Sequence, residues 1–214
     1  MSTMGPEERV VPRFAAEPPQ EELPYGRWAE RLARELLAAA DALDTEGEDL
    51  GEVRAVTWYP DRSWHGWTYV PATAATSNGY ELFGYVRFQR GAEEEAAAFS
   101  AHVDFTQETA ERNPDWQLDI CEEVIGSWHG EGGAEAAVTL VWGRPLVPDG
   151  IVATAELADL TVDQCIVIEQ RFTLIAPDDY RGDLLEIKLY DERGGELARE
   201  SLYAGEDEEE SPPA

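Results

Sequence analysis

The sequence predicts an α+β fold, mainly β: an antiparallel β-sandwich or partly closed barrel of about eight strands, with one N-terminal amphipathic helix packed on it. Three observations predict it. Apolar residues recur at helical spacing over one long stretch, residues 27–43. From Glu52 onward the period changes to two, with turn residues between the runs. No second long amphipathic stretch is present to cross over between parallel strands.

In the helix, Trp28, Leu32, Leu36, Ala40 and Leu43 follow one another at spacings of four, four, four and three, and Leu37 and Ala39 widen the stripe. Glu30 with Arg34 and Arg31 with Glu35 stand one turn apart on the exposed flank, and residues 44–51 supply the stop. Tyr80, Leu82, Gly84, Val86 and Phe88 share one face of a strand, and Phe99, Ala101, Val103 and Phe105 form the next alternating set, able to pair with it. Residues 91–98 between them read as a hairpin loop or a short helical turn, because three glutamates followed by alanines favour helix locally. Further strands are expected at 116–125, 136–142, 164–175, 184–190 and 196–203. The clearest hairpin joins Leu185, Ile187 and Leu189 to Leu197 through Asp191-Glu192-Arg193-Gly194-Gly195, whose glycines accept positive φ.

The 214-residue length fits one domain, residues 25–204, between an extended Pro- and Glu-containing arm at 1–24 and an acidic disordered tail at 205–214. Hydrophobic residues make up 43% of the chain, enough to close a core, so disorder throughout is excluded. Forty-five acidic against sixteen basic side chains give a net charge of −29, a field that opposes nucleic acid and anionic lipid alike. Lys188 is the only lysine; the other fifteen basic residues are arginines, a bias that GC-rich coding would produce. Neither a signal-peptide pattern nor an apolar run of membrane-spanning length occurs, the longest runs being short, such as Ile166 to Ile168. A cytoplasmic protein is expected. Cys121 and Cys165, 44 positions apart in strand-like stretches, read as buried thiols in a reducing compartment, with one inter-strand disulfide as the alternative.

The densest aromatic stretch runs from Trp58 to Tyr69. Trp58, Tyr59, Trp64, His65, Trp67 and Tyr69 together resemble the lining of a ligand pocket, where rings supply area and polar groups supply direction. The competing reading is a hairpin whose rings close the core. His65, His102 and His129, the three histidines, could hold a divalent metal, although their spacing follows no ligand motif; no cofactor is otherwise expected. Ser100, His102 and Asp104 contain a hydrolase's residue types, but residues two apart on a strand lie roughly 6.5 Å apart, too far for a nucleophile and its base. Asp119, Glu122 and Glu123 could supply an acid and a base, yet in so acidic a chain two neighbouring carboxylates are expected anyway. Gly130 to Gly133 lacks the lysine of a phosphate loop and reads as a turn. Ser-Trp-His-Gly occurs at 63–66 and again at 127–130, with flanks that disagree.

These features point to a soluble, non-enzymatic binding or assembly protein with an acidic surface and a protein partner, or a second copy of the chain, at its interface. Two alternatives stand beside it: a small-ligand or metal-dependent enzyme with a Trp/His-lined pocket, and an acidic inhibitor or immunity-type protein that neutralises a basic partner.

Overall fold

The computed structural model describes residue 26 and residues 28–90, 96–129, 135–178 and 183–202. The expected arm at 1–24, the tail at 205–214 and the turn at 130–133 lie outside these residues, as do residues 91–95 of the open 91–98 segment.

Helix α1 spans Ala29–Asp41 and buries Leu32 and Leu36. It is shorter than the apolar stripe because Trp28 caps it without a side-chain hydrogen bond, and the Ala42 N–H turns back to Ala39. Both flanking residues Trp28 and Leu43 still pack against the sheet beneath. Arg31 and Glu35 form the expected one-turn ion pair at 2.7 Å.

Twelve strands follow among the described residues: β1 Val53–Trp58, β2 Arg62–Trp64, β3 Trp67–Thr76, β4 Glu81–Arg90, β5 Ala96–Thr106, β6 Leu118–His129, β7 Glu135–Pro145, β8 Val152–Leu157, β9 Leu160–Ile166, β10 Phe172–Asp178, β11 Leu185–Tyr190 and β12 Glu196–Ser201. Every pairing between them is antiparallel. They form a five-stranded sheet in the order β1-β3-β4-β5 with β2 also on β3, a three-stranded sheet β10-β7-β6, and a four-stranded sheet β12-β11-β8-β9. The mainly β, antiparallel expectation therefore holds, with twelve strands in place of about eight. Residues 96–98 of the undecided segment belong to β5.

One proline and two turns account for the extra strands. Pro71 offers no N–H to a ladder, and opposite it β1 ends at Trp58, while β2 resumes the pairing at Arg62. The stretch expected as one strand at 164–175 is two, β9 and β10, because Glu169 and Gln170 take φ values of 49° and 61° in a tight turn closed by mutual Ile168 and Arg171 backbone hydrogen bonds. Ala158 and Asp159, at 52° and 61°, likewise join β8 to β9.

Three apolar clusters separate four layers. Leu32 and Leu36 of α1 meet Val70, Leu82, Val86, Phe88 and Val103 on the outer face of the five-stranded sheet. That face carries both alternating sets read from the sequence, paired as Leu82 with Phe105 and Val86 with Ala101. The other face meets the three-stranded sheet through Tyr59, Tyr69, Tyr85, Leu140, Trp142 and Ile175. Beyond it, Val141, Phe172 and Leu174 face Ala155, Leu157, Leu185, Ile187 and Leu189 of the four-stranded sheet. The three-stranded sheet is thus covered on both faces, which is why β10 is buried along its whole length. Trp142, Phe172, Leu174 and Ile187 are fully enclosed, each side chain contributing about 1.5–3 kcal/mol by burial.

The barrel is not closed. Where β10 approaches β9 the outward N–H of Ile175 donates to the Asp163 side chain at 2.9 Å, and that of Thr173 points to the Cys165 sulfur. Pro177 is the next outward position and has no N–H to satisfy, so this sheet edge presents no free donor to another strand along its length.

Candidate functional site

The three sheets meet where β2, β9 and β10 come together. Arg62 leaves β2, is only 3% exposed, and its Nη2 donates to both carboxylate oxygens of Asp163 on β9. Asp163 also accepts from Ile175 of β10, so one carboxylate joins all three sheets. Burial pushes the Asp163 carboxyl above its usual range, while Arg62 and the Ile175 amide pull it back. Arg171, at the β9–β10 turn, reinforces the junction by donating to the Trp58 carbonyl at 2.7 Å.

Beside this junction opens a cleft of about 440 Å³. Arg62, Thr173 and Cys165 line it together with Pro60 and Val152, and Gln164, Ile166 and Ile168 complete its wall. Two of the lining residues carry a buried polar atom without a hydrogen-bond partner, Nε of Arg62 and Oγ1 of Thr173. Ile166 is 69% exposed, and Ile168 and neighbouring Ile151 are exposed as well. Burial raises the Cys165 thiol to about 12, so it stays protonated at neutral pH. Both cysteines are free thiols.

The aromatic stretch forms β1, β2 and the start of β3. Tyr59 and Tyr69 are core residues between sheets, the Tyr69 ring meeting Tyr85 edge-on at 5.5 Å. Trp64 and Trp67 lie half-buried at the margin of the same cluster, with the Arg87 guanidinium 4.7 Å over the Trp67 ring. Trp58 faces the helix-side core. His65 is exposed in the β2–β3 turn at φ 51°, stacked on Trp64 at 4.3 Å. Trp64 and Trp128, one from each Ser-Trp-His-Gly segment, pack against the same cluster, and a Cβ on Gly126, next to Ser127, would fall 2.7 Å from the Trp64 ring.

Each histidine has its own neighbours. His102 Nε2 lies 2.8 Å from Glu123 Oε1, and His129 sits between Ser127 at 3.1 Å and Glu135 at 3.3 Å. Among the described residues, no three His, Cys, Asp or Glu side chains are grouped to hold a metal ion. Ser100 accepts from Arg87 at 3.0 Å and Asp104 accepts from the Phe105 amide, so the three residue types on β5 form no relay. Asp119 is paired to Arg144 at 2.7 Å. Glu122 has a buried, unpartnered Oε2, and burial, then Asp178 and Glu123, raise its carboxyl to about 7. Glu81 reaches about 7 through burial, then Asp119.

Sequence reasoning missed Arg62, Gln164, Cys165 and Thr173 as neighbours. The legible trace was the apolar run Ile166 to Ile168 in an acidic chain, and an arginine enclosed by aromatic residues at 58–69. No protein-family model matches the chain, no curated protein matches it, and no solved structure matches it.

Proposed function

We propose that the chain is a non-enzymatic binding protein with an acidic surface, and that it binds through the cleft at the β2–β9–β10 junction. The observation that carries this reading is an open cleft of about 440 Å³ rimmed by exposed isoleucines on a chain of net charge −29. Single exposed apolar residues are ordinary, but several around one opening mark a contact surface. The lining argues against catalysis at this cleft. Its thiol is held protonated and its one arginine and the adjoining aspartate neutralise each other, leaving neither an activated nucleophile nor a free acid and base.

Thermal-shift measurement across neutral metabolites, peptides and metal ions, followed by mass spectrometry of the recovered compound, tests this. A ligand should raise the melting temperature of the native chain, fail to do so for Ile166→Asp/Ile168→Asp, and be recovered unchanged. Both positions are exposed, so the double variant should fold with a stability change of about 1 kcal/mol or less. Conversion of the compound would overturn the non-enzymatic reading, and binding indifferent to the double substitution would overturn the location.

A further inference from the structure

We infer that the occupant of this cleft is a small, uncharged, largely apolar molecule carrying a hydrogen-bond acceptor such as a ketone or ester oxygen. This inference rests on the reading of the cleft as a binding site and goes further by assigning the chemistry of what fills it. The polar atoms set the acceptor. Arg62 Nε and Thr173 Oγ1, on residues 3% and 1% exposed, have no partner. An arginine Nε can only donate, whereas a threonine hydroxyl can donate or accept. One carbonyl oxygen, with two lone pairs, has the capacity for both.

The charges set the neutrality. The Arg62 guanidinium is already matched by Asp163, so it holds no unspent charge for an anion, and the net charge of −29 repels one. A cation would face an N–H donor in place of an acceptor. The walls set the apolar body, since Pro60, Val152, Ile166 and Ile168 supply most of the remaining contact. The volume of about 440 Å³ suits a single small molecule, sites for which span roughly 300–1,000 Å³. A peptide adding as a strand is disfavoured here, because the β10 edge is already occupied by the side chains of Asp163 and Cys165. Gln164 and Ile166, both exposed, line the same cleft beside the residues that carry these polar atoms.

The test uses the full chain and three probes of one shape: benzophenone, which carries the carbonyl, diphenylmethane, which lacks it, and 4-benzoylbenzoate, which adds a negative charge. Equilibrium dialysis should show benzophenone binding roughly tenfold tighter than diphenylmethane, the scale of one hydrogen bond to a buried donor, with 4-benzoylbenzoate weaker than benzophenone. Photolysis of bound benzophenone should place adducts on β9 and β10. Thr173→Val, which removes only an unpartnered hydroxyl, should keep or raise the melting temperature while shrinking the preference for the ketone. Equal binding of diphenylmethane, or tighter binding of the carboxylate, would overturn the inferred chemistry while leaving the binding reading intact. Failure of all three probes to occupy the cleft would likewise overturn the inferred chemistry, while the binding reading would fall only if the wider panel of metabolites, peptides and metal ions also left the melting temperature unchanged.

Discussion

Asp163 is the residue on which the junction turns. It takes Arg62 from one sheet and the Ile175 amide from another, and both charged side chains are nearly enclosed. Removing one partner leaves an uncompensated buried charge, which costs about 3–5 kcal/mol, whereas removing both leaves none. Urea unfolding of Arg62→Leu, Asp163→Leu and the double variant should therefore show the double variant less destabilised than the sum of the singles. Additive losses would mean that the pair is solvated and the junction loose. Gly126 makes a second residue-scale case. A side chain there must displace the Trp64 ring, so Gly126→Val should cost about 1–3 kcal/mol in denaturation and change tryptophan fluorescence; an unaltered spectrum would separate the two Ser-Trp-His-Gly segments.

At the scale of elements, legibility followed the chemistry of the turns. The β11–β12 hairpin was readable because Gly194 takes φ 77° and the Asp191 carboxylate accepts from the Arg193 and Gly195 amides, as that composition implies. The β8–β9 and β9–β10 turns place Ala158-Asp159 and Glu169-Gln170 in positive-φ positions, residues that announce no hairpin. Strand β8 was therefore missed and β9 and β10 were read as one. The cleft lies between those misread strands, so no sequence pattern could assemble Arg62 with Thr173, 111 positions further on. The same turns yield a prediction. Glu169→Asn with Gln170→Gly relieves two left-handed non-glycine residues and should raise stability by about 1 kcal/mol in urea unfolding. A loss would show that the Glu169 contact with Arg171 outweighs the backbone gain.

At the scale of the molecule, charge sets the response to pH and salt. Glu81 and Glu122 have folded-state values of about 7 against an ordinary 4.5, so the folded chain binds their protons more tightly than the unfolded chain. Their favourable contribution is complete below about 4.5 and is lost as pH rises through about 7. Self-repulsion at a net charge of −29 acts in the same direction. Thermal stability should therefore fall between pH 5 and pH 8, and Glu81→Gln with Glu122→Gln should flatten that slope. Potassium chloride at about 0.5 M should raise the melting temperature at pH 8 by screening. A stability that climbs from pH 5 to pH 8 would place both carboxylates in water.

The most direct measurement is an isoleucine-methyl NMR titration of the native chain with benzophenone, since the seven isoleucines sample the cleft and the core separately. Resonances of Ile166 and Ile168 should shift in proportion to occupancy while that of Ile187, sealed in the core beyond, stays fixed. Unmoved Ile166 and Ile168 methyls, or shifts gathered on residues far from β9, would contradict the account.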